Sequence, residues 1–295
     1  MKILVCDRLE EQVLDKFEEL GEITNISESK TKTEDLKSNI VDTEIVVIRS
    51  GTKINKDILE NAKNLKIIAR CGVGVDNVDV EEATNKKIYV TNSPNANIIS
   101  VAELTIGLII SAARKIHVSN NSLKDKKWDR NKFLGTELYQ KQLGLVGFGK
   151  AAKEVAKRLS AFGMNIVFYD PYVDSSTIEA KKVDLDELLK TSDVISIHVV
   201  KTEETTNLIN NEKLNLIKKG GILVNTSRGG IIDEESLFQK ANEDLIFAGL
   251  DVFSQEPPDI NETFSKSNIV TTPHLGASTY EAQLKAGLEL SLIHI

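Results

Sequence analysis

Short apolar runs rich in β-branched residues alternate with charged, helix-period segments along the whole chain. A first series of these runs covers residues 3–6, 44–48, 65–69 and 88–91. A second series covers residues 143–146, 166–169, 194–199, 222–225, 247–252 and 269–271. Continuous apolar strands that are separated by helices are typical of parallel sheets covered on both faces. The pattern therefore predicts an α/β fold with two doubly wound parallel-sheet domains.

The net charge and the length of the apolar runs argue against a nucleic-acid-binding protein and against a membrane-spanning one. A net charge of −7 argues against a nucleic-acid-binding protein, because such proteins need basic surface to neutralise phosphates. The longest apolar run, residues 104–113, is about half of the roughly 20 residues that a membrane-spanning helix needs. We therefore expect a cytoplasmic protein without a membrane partner. Two cysteines, Cys6 and Cys71, are too few for a disulfide framework, and we expect buried free thiols.

A glycine-rich segment begins where the second series of strands begins. The letters G-F-G-K-A-A at residues 147–152 fit the pattern G-x-G-x-x-G/A, after a buried strand and before an amphipathic helix. The next strand ends at Asp170, an acid placed to accept hydrogen bonds from a ribose 2′-hydroxyl. This order of elements predicts a Rossmann domain that binds NAD rather than NADP, although the glycines could also be purely structural. The candidate cofactor-binding residues are Gly147, Phe148, Gly149, Lys150, Ala151 and Asp170.

The domain boundaries follow from the two series of strands. We expect residues 1–96 to form a flavodoxin-like substrate-binding domain, to which a C-terminal segment from about residue 287 returns. Residues 97–286 then form the NAD-binding Rossmann domain. A long helix is expected to begin near Ser100 as its N-cap. The active site is predicted in the cleft between the two domains.

Polar residues follow three apolar strands of the second domain. They are Arg228, Glu256 and His274, and the carboxyl ends of parallel strands meet at the edge of a sheet where ligands bind. Histidine suits a general base because its charge changes near neutral pH, and a neighbouring carboxylate such as Glu256 orients it. An arginine can hold a substrate carboxylate with two hydrogen bonds. Further candidates for cofactor contact at this edge are His198, Thr226 and Asp251.

Several segments together resemble the D-isomer-specific 2-hydroxyacid dehydrogenases. The resemblance rests on G-V-G-V-D-N-V-D at 72–79, V-A-E-L-T at 101–105, the turn at 147, the stretches around 225–230 and 251–257, and P-H-L-G-A-S-T at 273–279. It implies that Arg228, Glu256 and His274 are the catalytic set. It also implies that the loop at 72–74 binds the substrate carboxylate through backbone amides. The further candidates for substrate binding are Val73, Gly74 and Asn97.

Within this family, the chain most resembles the branch that oxidises 3-phosphoglycerate with NAD in serine biosynthesis, in a form without a regulatory domain. Arg49 and Arg70 match arginines near the substrate in that branch and are suited to a phosphate, although surface ion pairs remain an alternative. Residues 128–138 resemble its dimer-forming segment, so a homodimer is expected. The alternatives are a reductase of glyoxylate, hydroxypyruvate or another 2-oxo acid and, more remotely, an NAD-sensing corepressor-like protein. No metal is expected.

Overall fold

The computed structural model describes residues 1–261, 264 and 268–293. The chain divides into two compact units, Met1–Asn97 with Ala277–Ile295, and Ile98–Gly276. The return to the first unit thus begins at Ala277, ahead of the position near residue 287 that the sequence suggested.

The first unit contains a sheet of five parallel strands in the order β2-β1-β3-β4-β5. The strands are β1 (Lys2–Val5), β2 (Glu22–Asn25), β3 (Ile45–Ile48), β4 (Ile67–Arg70) and β5 (Tyr89–Asn92). The helices are α1 (Glu11–Glu18), α2 (Lys32–Asn39), α3 (Lys56–Asn61), α4 (Val80–Asn85) and, from the chain's end, α11 (Tyr280–Ile293). This strand order is that of flavodoxin and confirms the predicted class of the first domain.

Alternate side chains of this sheet pack into two apolar clusters. One cluster contains Leu4, Val46, Ile48 and Ile68, with residues of α2, α3 and α4. The other contains Ile3, Val5, Ile45 and Val47, with residues of α1 and α11. Because neighbouring side chains of a strand point to opposite faces, two separate clusters mean that both faces of the sheet are covered. Polar side chains that bind a ligand are therefore expected at the carboxyl edge of the sheet, which the helices do not cover.

The second unit contains seven parallel strands in the order β12-β11-β10-β9-β6-β7-β8. They are β6 (Gln142–Val146), β7 (Asn165–Tyr169), β8 (Lys181–Lys182), β9 (Val194–Ile197), β10 (Gly221–Asn225), β11 (Ile246–Leu250) and β12 (Ile269–Thr271). The α-helices are α5 (Ile98–Arg114), α6 (Ile116–Lys124), α7 (Lys150–Ser160), α8 (Leu185–Thr191), α9 (Asn211–Leu214) and α10 (Glu234–Asn242). Counted from β6, this is the Rossmann order 3-2-1-4-5-6 with a seventh strand, which confirms the predicted fold.

The expected start of the long helix was wrong. Helix α5 begins at Ile98, so Ser100 lies inside its first turn and is not the N-cap. Its hydroxyl donates instead to the carbonyl oxygen of Gly276 at 2.7 Å. A serine followed by a glutamate three residues later matches a capping box by sequence, but here the hydroxyl serves a contact with a distant loop.

Candidate active site

The turn after β6 has the backbone geometry that its glycines allow. Gly147 has a φ of +88°, and a Cβ there would lie 2.7 Å from the carbonyl oxygen of His198. A Cβ on Gly149 would meet no atom within 4 Å, so the space beside the start of α7 is open. Phe148 is buried and stacks on Phe168 with ring centroids 4.1 Å apart. The turn therefore has a rigid base and an open outer side, which fits a bound dinucleotide.

Replacing Gly147 with alanine should destabilise the protein more than the same change at Gly220. Both glycines have positive φ, +88° and +78°, so alanine pays a backbone cost of about 1–2 kcal/mol at either position. Only at Gly147 does the new methyl group meet backbone atoms, which adds about 1–3 kcal/mol. Urea unfolding of both variants measures this difference. Equal losses would contradict the account of the turn.

The start of α7 and the end of β7 supply the other parts of this turn. Lys150 and Ala151 are the first two residues of α7, where backbone N–H groups have no acceptor within the helix and favour an anion. Asp170 is half-buried, and its carboxylate accepts from the N–H groups of Phe148 at 2.8 Å and of Tyr172 at 2.8 Å. The acid that was predicted to bind ribose is thus held beside the glycine turn.

Two further candidates for cofactor contact lie at the ends of β9 and β10. The Nε2 atom of His198 is 2.9 Å from Ser196 Oγ, and burial of the ring lowers the pKa of His198 to about 4. The imidazole is therefore neutral at pH 7. Thr226 is buried, and its hydroxyl is 2.7 Å from that of Thr105 on α5. Both positions suit the floor of a binding site, and their contact with a cofactor stays a prediction.

The structure brings His274 and Glu256 together. The Nδ1 atom of His274 is 2.7 Å from Glu256 Oε2, and the side chains are 46% and 38% exposed. The other oxygen of Glu256 accepts from the N–H of Phe253 at 3.1 Å. Because an ionised carboxylate only accepts, it holds the proton on Nδ1 and leaves the Nε2 lone pair for a substrate. The pair therefore has the geometry of an oriented general base.

Asp251 supports the loop that carries His274. This residue is fully buried, and its carboxylate accepts from the Thr272 hydroxyl at 2.5 Å and from the N–H groups of Leu275 at 2.7 Å and Gly276 at 2.8 Å. Its carbonyl oxygen accepts from the N–H of His274 at 2.8 Å. Burial raises the pKa of Asp251, while these hydrogen bonds favour its charged form. Its predicted contact with the cofactor stays a prediction, but its support of this loop was missed.

Arg228 lies in a loop that packs on the segment before Glu256. Asn225 shapes this loop: its amide nitrogen donates to the carbonyl of Arg228 at 2.8 Å, and its oxygen accepts from the N–H of Ser227 at 3.0 Å. A Cβ on Gly229 would collide with the carbonyl oxygen of Phe253. Only glycine allows this approach, which places the Arg228 loop against the chain segment that leads to Glu256.

Two arginines lie at the carboxyl edge of the five-stranded sheet. Arg49 follows β3, and its guanidinium donates to Gln283 Oε1 at 3.1 Å and to the carbonyl of Arg8 at 3.3 Å. Arg70 ends the neighbouring strand β4 and donates to the carbonyl of Cys71 at 3.2 Å. Burial raises the pKa of the Cys71 thiol to about 12, and the positive charges of both arginines act against this rise. Both guanidinium groups therefore belong to one edge of the sheet.

The remaining candidates for substrate binding belong to the same unit. Val73 and Gly74 lie half-buried in the loop after β4, and the carbonyl of Val73 accepts from Asn92 Nδ2 at 2.6 Å. Asn97 is the last residue of the first part of this unit. Their contact with a substrate stays a prediction.

Residues 106–276 match the family described as D-isomer specific 2-hydroxyacid dehydrogenase, NAD binding domain. The chain belongs to this family. The match confirms the resemblance seen in the sequence and confirms NAD as the cofactor of the second domain. In the part of the chain that the structure describes, no helix is long and apolar enough to cross a bilayer, and no three His, Cys, Asp or Glu side chains are grouped to hold a metal ion.

Similar proteins have two different names. The chain is 48% identical to a D-3-phosphoglycerate dehydrogenase of Methanocaldococcus jannaschii over 97% of this chain and 55% of that relative. It is also 48% identical to a hydroxypyruvate reductase of Thermotoga maritima, over 98% of this chain and 95% of that relative. The chain thus spans about half the length of the phosphoglycerate dehydrogenase, 55%, and nearly all of the reductase.

Solved structures share the fold over the whole chain. The NAD⁺-bound 3-phosphoglycerate dehydrogenase of Entamoeba histolytica has a TM-score of 0.84 at 32% identity, covering 100% of this chain and 94% of that one. A D-lactate dehydrogenase of Aquifex aeolicus, complexed with NAD and lactic acid, has a TM-score of 0.85 at 27% identity, covering 100% and 94%. These likenesses agree with the two strand orders described above.

Proposed function

We propose that the protein is an NAD-dependent dehydrogenase that oxidises D-3-phosphoglycerate to 3-phosphohydroxypyruvate, or runs the reverse reaction. The observation that carries the chemistry is the 2.7 Å hydrogen bond between His274 and Glu256 in a domain of the 2-hydroxyacid dehydrogenase family. The oxidation removes a proton from the hydroxyl group and a hydride from the same carbon. The chain must therefore supply a base, a group that binds the carboxylate and a site for the cofactor.

Each of these tasks has a candidate. NAD, held at the turn of residues 147–151, supplies the hydride acceptor. His274 takes the hydroxyl proton on Nε2, and Glu256 stabilises the imidazolium that results. Arg228 binds the substrate carboxylate and polarises the carbonyl that forms, because its planar fork matches two oxygen acceptors.

The phosphate assignment rests on the first unit. Arg49 follows β3 and Arg70 ends the neighbouring strand β4, so two permanent positive charges lie at one edge of the sheet. Guanidinium groups bind phosphate oxygens through charge-assisted hydrogen bonds. The 48% identity to the Methanocaldococcus jannaschii D-3-phosphoglycerate dehydrogenase supports the same substrate, which belongs to serine biosynthesis.

A second candidate function keeps the chemistry and changes the substrate. The Thermotoga maritima hydroxypyruvate reductase is equally identical, at 48%, and the match covers 95% of its length. This identity supports reduction of an unphosphorylated 2-oxo acid as the alternative.

Replacing both Arg49 and Arg70 with alanine distinguishes the two substrates. We expect kcat/KM for 3-phosphohydroxypyruvate to fall by about 10²-fold or more, because each hydrogen bond to a charged group contributes about 1.5–3 kcal/mol. The kcat/KM for hydroxypyruvate should change by less than about fivefold, since it carries no phosphate to bind. Initial rates of NADH oxidation measure both, with Arg158→Ala on α7 as the matched control. Equal losses on both substrates would reject the phosphate assignment.

A homodimer in the cytoplasm belongs to the same proposal. Three large apolar side chains of one segment lie mostly in solvent, Trp128 at 79%, Leu134 at 85% and Tyr139 at 64% exposure. Such a group of exposed apolar side chains is typical of a surface that a partner covers. Cys6 and Cys71 are buried free thiols, which agrees with a reducing compartment.

A further inference from the structure

The backbone of Arg49 is held from both sides by side chains of neighbouring loops. Its N–H donates to Asp7 Oδ2 at 2.6 Å, and its carbonyl oxygen accepts from Asn77 Nδ2 at 2.7 Å. Asp7 follows β1 and Asn77 lies in the loop after β4, the two strands that flank β3 in the sheet. The residue that carries the predicted phosphate ligand is therefore fixed at both of its peptide groups.

Asp7 is a buried carboxylate with two partners. The residue is 8% exposed, and its Oδ1 atom accepts from Lys32 Nζ at 2.5 Å. A Cβ on Gly51 would lie 2.8 Å from this same oxygen, so the loop after β3 packs directly on the carboxylate. Burial of a carboxylate costs free energy unless its charge is paired and its oxygens are hydrogen-bonded. Here Lys32 pairs the charge, and the N–H of Arg49 donates the second hydrogen bond.

The side chain of Arg49 also contacts the loop after β1. Its Nη1 atom donates to Gln283 on α11 and to the carbonyl of Arg8, the residue after Asp7. The loop after β1 thus contacts Arg49 twice, at its backbone and at its guanidinium. A shift of this loop would move the guanidinium together with the backbone.

We infer that Asp7 is a positioning residue for the anion site of Arg49, and that it thereby determines the preference for a phosphorylated substrate. The inference rests on the proposed function, in which Arg49 binds the phosphate. Both carboxylate oxygens of Asp7 accept from groups of the protein, Lys32 Nζ and the N–H of Arg49, so we assign it to positioning and not to binding of the substrate. Its effect should therefore appear in the KM for the phosphorylated substrate and leave the chemical step unchanged.

The test uses steady-state kinetics of NADH oxidation with 3-phosphohydroxypyruvate and with hydroxypyruvate. Asp7→Ala should raise the KM for 3-phosphohydroxypyruvate by about tenfold, because the hydrogen bond that holds the N–H of Arg49 is lost, while kcat changes less than about twofold. Asp7→Asn keeps an oxygen for the N–H of Arg49 and should stay within about threefold of the parent protein. Asp15→Ala, an exposed aspartate on α1, is the matched control and should change neither constant.

A double-mutant cycle separates positioning from general stability. In an Arg49→Ala background, Asp7→Ala should have no further effect on the KM for the phosphorylated substrate, because the residue that it positions is gone. Should Asp7→Ala not fold, Asp7→Glu replaces it, since the added methylene displaces the carboxylate and predicts the same rise in KM.

Four results would overturn the inference. Additive losses in the cycle would give Asp7 a role that does not pass through Arg49, and equal losses for Asp7→Asn and Asp7→Ala would reject the hydrogen bond as the anchor. A loss of phosphate preference in Arg49→Ala but none in Asp7→Ala would reject the inference alone. Unchanged preference in Arg49→Ala would reject the phosphate assignment of the proposed function together with the inference.

Discussion

Replacing His274 with asparagine should lower kcat by about 10³-fold, within the roughly 10²–10⁴-fold range that a positioned acid–base group contributes. His274 has a φ of +54°, a conformation that asparagine tolerates better than most residues. An asparagine can also donate to Glu256, so the loop should keep its shape. Its amide cannot take up a proton near neutral pH. The loss therefore reports the chemical step, measured as kcat with both substrates saturating.

The control for this variant separates chemistry from binding. The Kd for NADH, measured by fluorescence titration, should stay within about threefold of the parent value. The glycine turn follows β6, whereas His274 follows β12. His117→Asn makes the same change on α6, in the same unit, and should retain kcat. A kcat of His274→Asn within tenfold of the parent protein would remove His274 from the role of base.

Replacing Arg228 with lysine should lower kcat/KM by about 10²-fold, and replacing it with alanine by about 10³-fold. Lysine keeps the charge but loses the planar fork that binds a carboxylate with two hydrogen bonds. Removal of one preorganised donor typically costs roughly 10²–10³-fold. The loop itself should persist, because Asn225 and Gly229 shape it through backbone contacts.

Initial rates at low substrate concentration measure this effect, with Arg158→Lys on α7 as the matched control. The melting temperature of Arg228→Lys should equal that of the parent protein within about 2 °C, since Arg228 is half-buried in a loop that Asn225 and Gly229 shape, and such a change should cost less than about 0.5 kcal/mol. Retention of more than a third of the parent kcat/KM would contradict the assigned role.

The buried strands could be predicted because strands that are covered on both faces consist mostly of apolar residues. Strand β10, Gly221–Asn225, is buried at all five positions and is apolar up to Val224. The edge strands β2 and β8 were missed, since their side chains are mostly exposed and carry no apolar run. Sequence periodicity reports burial, so a strand that buries little gives little signal.

The proximity of Glu256 and His274 could be predicted for a related reason. Glu256 and His274 follow strands of one parallel sheet, and the carboxyl ends of such strands meet. The supporting residues could not be predicted in the same way. Asp7 is 42 positions from Arg49 in the chain, and Asp251 supports its loop through backbone N–H groups that any residue would offer. Such contacts depend on register between distant segments, which composition does not reveal.

The most direct test of the account is the rate of NADH oxidation by the purified chain with 3-phosphohydroxypyruvate, hydroxypyruvate and glyoxylate. We expect turnover with all three acids and the highest kcat/KM for 3-phosphohydroxypyruvate. A preference for hydroxypyruvate or glyoxylate would contradict the phosphorylated substrate and leave the reductase as the function. Binding of NADH without turnover of any 2-oxo acid would contradict the central claim that the His274–Glu256 pair acts as a dehydrogenase base.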